Sequence, residues 1–127
     1  MARLPRLMGR GRAFEVLLGA DDIPGDLAAK YGYVNRSLPD SELDAFVDSL
    51  ATRIASFDKR ALSETKRFVD VASLPPDYEI APEWDVCVAS IMRPVAQERI
   101  KKLLERGFHQ PGDVEDRLGY HVGQLGR

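Results

Sequence analysis

Apolar residues recur along this chain three and four positions apart, which is the spacing of one face of an α-helix. The clearest case begins at Asp40 or Ser41, either of which can cap a helix. Its apolar stripe consists of Leu43, Phe46, Val47, Leu50 and Ile54. Further helices are predicted over residues 58–72, 78–92 and 95–106, and a last one begins at Asp113 and carries Val114, Leu118 and Val122.

The first 39 residues predict shorter elements. Phe14, Leu17 and Leu18 indicate a helix that ends at Gly19, and Gly9 separates it from a short first turn.

Residues 26–31 predict one more short helix, which ends at Gly32. The segment from Tyr33 to Leu38, closed by Pro39, is the only strand candidate. We therefore expect a mainly α fold with at most one short strand.

The composition is that of a globular protein, with 127 residues, 44% hydrophobic and 30% charged. A formal net charge of -2 gives no general attraction to nucleic acid or to an anionic membrane. No apolar run is long enough to cross a bilayer. Cys87 is the single cysteine, so no intrachain disulfide can form, and we expect a reducing, cytoplasmic environment.

Charge alternates along the chain, since residues 1–12 and 91–110 are rich in arginine and lysine while residues 13–50 and 71–90 are acidic. Such alternation is typical of solvated helix faces, and an anion-binding face is the sharper alternative. Gly9 to Arg12 could form a nucleic-acid arm, but the segment lacks interleaved aromatic residues. We predict no nucleic-acid partner and no membrane partner.

The residues that could carry chemistry unaided are few. His109 and His121 are the only histidines, and we interpret both as surface or capping residues. Cys87 and Trp84 lie on the apolar stripe of the helix predicted over residues 78–92, so we expect both in the core. A zinc site needs three or four ligands at fixed spacing, and these residues do not supply that pattern. We predict no metal ligand.

Three short segments occur in a characteristic order: Leu4-Pro5-Arg6-Leu7-Met8-Gly9-Arg10, then Phe14-Glu15-Val16-Leu17-Leu18-Gly19, then Tyr31-Gly32-Tyr33-Val34-Asn35-Arg36. In order and spacing they resemble the enoyl-CoA hydratase/isomerase (crotonase) family. The resemblance covers residues 4–70 well and returns over residues 95–123. It corresponds to the C-terminal part of that family, and it covers hydratases and isomerases alike.

The resemblance implies where the family's chemistry resides. An N-terminal core of repeated strand–helix turns binds the acyl-CoA thioester, and two backbone N–H groups stabilise the enolate oxygen. One or two carboxylates then move protons to and from water or carbon. In the family those segments precede the one matched at Leu4. We therefore expect the α/β spiral core to be absent here and assign no catalytic residue to this chain.

The resemblance implies that this chain is a crotonase-like C-terminal helical region. Residues 1–39 would form a mid-chain segment and residues 40–127 the helical region, together in one structural unit. In the family this region builds trimers, often stacked into hexamers, so a homo-oligomer is expected. A late helix there presents a basic residue to the coenzyme A of a neighbouring subunit. Arg106 matches that position, and Lys102 lies one turn earlier. No cofactor is implied beyond the coenzyme A thioester as substrate.

An alternative of a different class follows from the surplus of apolar helix faces in so short a chain. The protein could be a non-catalytic helical module that oligomerises or binds another protein.

Overall fold

The computed structural model describes residues 2–126. Within that part of the chain the regular elements are nine helices, and no strand is formed. In chain order they are α1 (Arg3–Met8), α2 (Arg10–Gly19), α3 (Gly25–Tyr31), α4 (Asp40–Ala55), α5 (Lys59–Ser73), α6 (Asp77–Ile91), α7 (Pro94–Glu105), α8 (Asp113–Asp116) and α9 (Leu118–Gln124). The predicted mainly helical fold class is confirmed.

The strand expected over residues 33–38 does not form, and the backbone hydrogen bonds explain why. The N–H of Tyr33 donates to the carbonyl of Ala28 at 2.9 Å, and the N–H of Gly32 donates to Ala29 at 3.1 Å. These two bonds close the C-terminus of α3 in a Schellman motif. The backbone N–H groups of Gly32 and Tyr33 therefore already donate to the end of α3, so they are not available to pair with a neighbouring strand.

The chain divides into two compact units, one made of Met1–Pro24 with Pro75–Arg127 and the other of Gly25–Leu74. The boundary predicted after Pro39 lies inside the second unit, between α3 and α4. The division expected from the sequence, with residues 1–39 and 40–127 in one structural unit, stays a prediction.

The first unit holds α1, α2 and α6–α9. Gly9, with φ of 81°, interrupts the chain between α1 and α2 as predicted. The guanidinium of Arg6 donates to the carboxylate of Glu79 at 2.8 Å, which ties α1 to α6. Among the described residues of the first unit, the buried apolar side chains are Met8, Ala13, Leu103 and Val114.

Two predictions about side chains of α6 are wrong. Trp84 is 68% exposed, and the thiol of Cys87 is exposed as well. The periodicity correctly placed both on one helix, but that helix has no buried residue.

The second unit holds α3, α4 and α5, and among its described residues Ala28 is the buried hydrophobic one. The carboxylate of Asp58 accepts a hydrogen bond from the N–H of Ala61 at 2.9 Å and caps α5. The start of α4 differs from expectation, since Pro39 is the N-cap and makes no side-chain cap. Asp40 is instead the first helical residue.

The last predicted helix is broken into α8 and α9 at Arg117, whose φ of -137° and ψ of 46° are not helical. Asp113 begins α8 rather than capping it, and Gly112 is the N-cap. Across the described residues, no helix is long and apolar enough to cross a membrane.

Candidate functional site

A cavity of about 690 Å³ lies in the first unit, at the C-terminal end of α7. The turn after α7, together with α8 and α9, completes its wall. It is lined by Arg106, Gly107, Gln110, Pro111, Gly112, Asp113, Val114, Tyr120, His121 and Gln124. Most of these side chains can form hydrogen bonds, so the cavity suits a polar ligand.

The end of α7 creates the bend from which this cavity is built. The N–H of Phe108 donates to the carbonyl of Leu103 at 3.0 Å, and the N–H of Gly107 donates to Leu104 at 3.1 Å. This is a Schellman motif, and it requires a left-handed residue after the cap. Gly107 supplies that residue with φ of 107°. Arg106, the helix cap, is thereby placed at the wall of the cavity.

The two residues expected to contact coenzyme A have different surroundings. Arg106 is exposed and lines the cavity. Lys102 lies one turn earlier and holds the carboxylate of Glu98 at 2.8 Å. That hydrogen bond, followed by the positive charge of Lys102, lowers the pKa of Glu98, and burial opposes the lowering. The ammonium of Lys102 is thus already paired with a carboxylate of its own helix.

A second charged group in the cavity wall, the carboxylate of Asp113, links α8 to α9 through hydrogen bonds. Nε2 of His121 lies 2.7 Å from Oδ2 of Asp113, and Nη1 of Arg117 donates to Oδ1 of the same carboxylate at 3.3 Å. The side chain of His121 is only 15% exposed. Its hydrogen bond lowers the pKa of Asp113, burial opposes that effect, and the charge of Arg117 adds to the lowering. The Asp113 carboxylate is therefore held ionised and oriented.

The side chains that line this cavity can bind an anion and can donate or accept hydrogen bonds. The guanidinium of Arg106 can bind an anion, and amide and phenol groups can add hydrogen bonds. Serine, threonine and cysteine are absent from the lining residues. Among residues 2–126, no group of three or more histidine, cysteine, aspartate or glutamate side chains could hold a metal ion. The expectation that Arg106 contacts coenzyme A is compatible with this geometry and stays a prediction.

The sequence did not identify the contact between Asp113 and His121. Their separation of eight residues was visible, and Arg117 stands midway between them. A spacing of four and four residues is a helical signal for contact on one face. The break at Arg117 could not be read from that spacing, so the contact across it was not expected.

The helical architecture matches part of a solved crotonase structure. Direct comparison then identifies relatives. The chain is 37% identical over 75 residues to "Probable enoyl-CoA hydratase EchA12" of Mycobacterium tuberculosis, an alignment that covers 56% of this chain and 26% of that protein. The corresponding protein of Mycobacterium leprae is 36% identical over 75 residues, with the same coverage.

A solved structure agrees with these sequence matches. The crystal structure of a "putative enoyl-CoA hydratase" from Streptomyces avermitilis superposes with a TM-score of 0.91 and 38% identity, over 94% of this chain and 43% of that one. No protein-family model matches the chain. The chain is homologous to enoyl-CoA hydratases over part of their length, which confirms the resemblance seen in the motifs. It spans about a quarter of the length of the curated relatives that it matches.

Proposed function

We propose that this chain is the helical C-terminal portion of an enoyl-CoA hydratase/isomerase-like protein that acts on acyl-CoA thioesters in the cytoplasm. The observation that carries the proposal is the superposition on the Streptomyces avermitilis structure, with 38% identity over 94% of this chain. In this proposal the catalytic carboxylates and the oxyanion donors come from the part of the fold that the chain does not span. The 127-residue chain alone is then inactive.

Within that function, Arg106 contacts a phosphate of coenzyme A bound toward a neighbouring subunit. Its support is the position of Arg106, an exposed residue that lines the cavity. Lys102 contributes less, because its ammonium group already holds Glu98 at 2.8 Å. A charge-assisted bond from arginine to phosphate can be bidentate, which gives such a contact both strength and orientation.

The first test is the hydration of crotonyl-CoA by the purified 127-residue chain. We expect the rate of the uncatalysed reaction. Hydration well above buffer, abolished by a substitution within this chain, would show that the catalytic groups are present here.

The second test is the binding of coenzyme A by a complex reconstituted with the part of the fold that this chain does not span. The complex carries either Arg106→Glu, at the C-cap of α7, or Lys101→Glu, the same charge change within α7. The ammonium of Lys101 is 3.9 Å from Glu105 and its side chain is 78% exposed, and Lys101 does not line the cavity. We expect Arg106→Glu to weaken binding by about tenfold or more, as the loss of a charged hydrogen bond implies. Equal affinities of the two variants would remove Arg106 from the site.

A second candidate is a non-catalytic module that oligomerises through its helices. The observation that favours it is the exposure of large apolar side chains in both units, among them Phe68 at 63%, Val71 at 78% and Leu18 at 79%. Exposed apolar side chains that lie next to one another on a helix, as Phe68 and Val71 do at a spacing of three residues, are typical of an interaction site. Light scattering tests it, and a monodisperse monomer that binds no hydrophobic dye would refute it.

A further inference from the structure

The cavity at the end of α7 is lined by a histidine, His121, and only one of its two ring nitrogens is occupied. Nε2 of the imidazole lies 2.7 Å from Oδ2 of Asp113. Among the described residues, the other nitrogen, Nδ1, forms no hydrogen bond, and no buried side-chain nitrogen is left without a partner. Nδ1 is therefore open to solvent, although the side chain as a whole is only 15% exposed. It is the ring nitrogen that is available to a ligand.

The bond to Asp113 decides what Nδ1 can do. An ionised carboxylate accepts hydrogen bonds and cannot donate them, so Nε2 has to carry the hydrogen of this contact. In a neutral imidazole the other nitrogen is then an acceptor, which offers no hydrogen bond to an anion. Protonation turns Nδ1 into a donor and gives the ring a positive charge. His121 can therefore bind an anion only when it is protonated.

The carboxylate of Asp113 keeps its charge in the pH range where histidine gains one. Its hydrogen bond with His121 lowers the pKa of Asp113, burial opposes the lowering, and the charge of Arg117 adds to it. Histidine changes its charge between about pH 5 and 8, which is above the ordinary range of aspartate. Asp113 can therefore hold the imidazole through Nε2 in both charge states of the ring.

The other charged and titratable groups around the imidazole come from three places in the fold. Arg117, at the break between α8 and α9, donates to Oδ1 of Asp113 at 3.3 Å. Tyr120, in α9, lies edge-on to His121 with the ring centroids 5.3 Å apart. Arg106, at the end of α7, lines the same cavity and has no carboxylate partner among the described residues. Arg106 is thus the cation that is available to a ligand.

The charges of the lining leave Arg106 a weak anion site while His121 is neutral. Among the described lining residues, Arg106 is the one permanent cation and Asp113 the one acid, so their charges cancel. Arg106 is also the C-cap of α7, and the last carbonyls of a helix carry partial negative charge that opposes an anion. Proton uptake by His121 gives the lining a net positive charge and adds a second donor.

We propose that this cavity is a proton-dependent site for a phosphate group or a similar oxyanion, bound by the guanidinium of Arg106 together with Nδ1–H of protonated His121. Charge-assisted hydrogen bonds of this kind are about twice as strong as neutral ones. Asp113 is a positioning residue, which holds the imidazole through Nε2. The inference deepens the contact between Arg106 and coenzyme A proposed above, and it rests on that proposal for the natural source of the phosphate.

The test measures the binding of sulfate to the 127-residue chain by nuclear magnetic resonance, at about pH 5.5 and at about pH 8. Sulfate keeps the same charge at both values, whereas a phosphate group titrates within this range, so any pH dependence belongs to the protein. Ionic strength is held constant with chloride, because screening changes the affinity of charged ligands. We expect binding about tenfold tighter at the lower pH, as one added charged hydrogen bond implies.

Three variants assign the proton to its residue. His121→Gln can still donate to Asp113 but takes up no proton, so its affinity should be equally weak at both pH values. Arg106→Gln should weaken binding at both. His109→Asn is the matched control, because His109 is the other histidine, does not line the cavity and has φ of 68°, which asparagine tolerates. That control should keep the native pH dependence.

A measurement on the native chain covers the case in which a variant fails to fold. Since binding is linked to proton uptake, saturating sulfate should raise the pH midpoint at which the imidazole resonances of His121 shift. The resonances of His109 should not respond to sulfate.

Several results would overturn the inference. The absence of a saturable response to sulfate at the lower pH would do so, and so would equal affinities of the native chain at both pH values. A pH dependence that persists in His121→Gln, or that disappears in His109→Asn, would place the proton on another group.

Coenzyme A separates the failure of this inference from that of the proposed function. It is measured at the same two pH values with the reconstituted complex that tests Arg106 above. If sulfate binds the chain as expected but the complex does not bind coenzyme A, the anion site stands and the proposed function is wrong. If coenzyme A binding requires Arg106 but is unaffected by His121→Gln at either pH, the proposed function stands and the role of His121 is wrong.

Discussion

The close approach of α9 to the loop after α2 leaves less room for a Cβ atom at Gly119 than at the other described glycines of the first unit. A Cβ atom built on Gly119 would lie 2.8 Å from both Cα and the carbonyl carbon of Asp21, and closer still to the backbone nitrogen of Asp22. The N–H of Gly119 also donates to Oδ2 of Asp22 at 3.0 Å. We predict that Gly119→Ala destabilises the first unit.

The size of this effect follows from three contributions. Overpacking against backbone that cannot rotate away costs about 1–3 kcal/mol. Displacing α9 weakens a hydrogen bond to a charged acceptor, which is worth about 1.5–3 kcal/mol when fully lost. Alanine returns up to about 1 kcal/mol of helix propensity. With the bond only partly lost, the free energy of unfolding should fall by about 2 kcal/mol.

Gly123→Ala is the matched control, because it lies on the same helix and nothing stands within 4 Å of the Cβ position. It should stabilise the chain by about 0.5–1 kcal/mol through propensity alone. Urea unfolding followed by circular dichroism measures both variants, and amide hydrogen exchange localises the change to α9. Equal stabilities for the two alanine variants would refute the close approach seen in the structure.

Two further predictions concern single carboxylates. The pKa of Asp113 is lowered chiefly by its bond to His121, so the ionised group stabilises the fold at neutral pH and the contribution is lost as pH falls through that lowered pKa. Asp113→Asn should therefore reduce urea stability near neutral pH and make it less dependent on pH in the acidic range, and an unchanged pH profile would contradict this. Asp58→Ala removes the cap of α5, whose carboxylate accepts from the N–H of Ala61 at 2.9 Å, and should cost about 1 kcal/mol of helix stability. Asp58→Asn is its control, since asparagine caps equally well, and helicity by circular dichroism should separate the two variants.

Periodicity located the long helices well because their signals are local. The apolar stripes of α4 and α5 depend on residues within one or two turns of each other, and both helices begin and end close to where the pattern predicted them. The same holds for the break at Gly9, where a positive φ follows from the residue itself. The motif order was sufficient to identify the relatives, because it samples positions far apart in the chain.

Burial and contact could not be predicted in this way. Trp84 and Cys87 lie on one apolar stripe, which predicts burial, yet both are exposed. The stripe gives the helix, but it does not say whether another element packs against it. The strand expected at residues 33–38 was lost to hydrogen bonds with the end of α3, a competition that residue preferences do not reveal.

The amino-acid sequence by itself determined the long helices, the break at Gly9 and the resemblance to enoyl-CoA hydratases, since each depends on spacing along the chain. Only the tertiary structure decided which apolar faces stay exposed, that Arg106 reaches the wall of a cavity while Lys102 is held by Glu98, and that Asp113 meets His121 across the break at Arg117. Those outcomes depend on distances between residues on separate elements, which helical spacing does not specify.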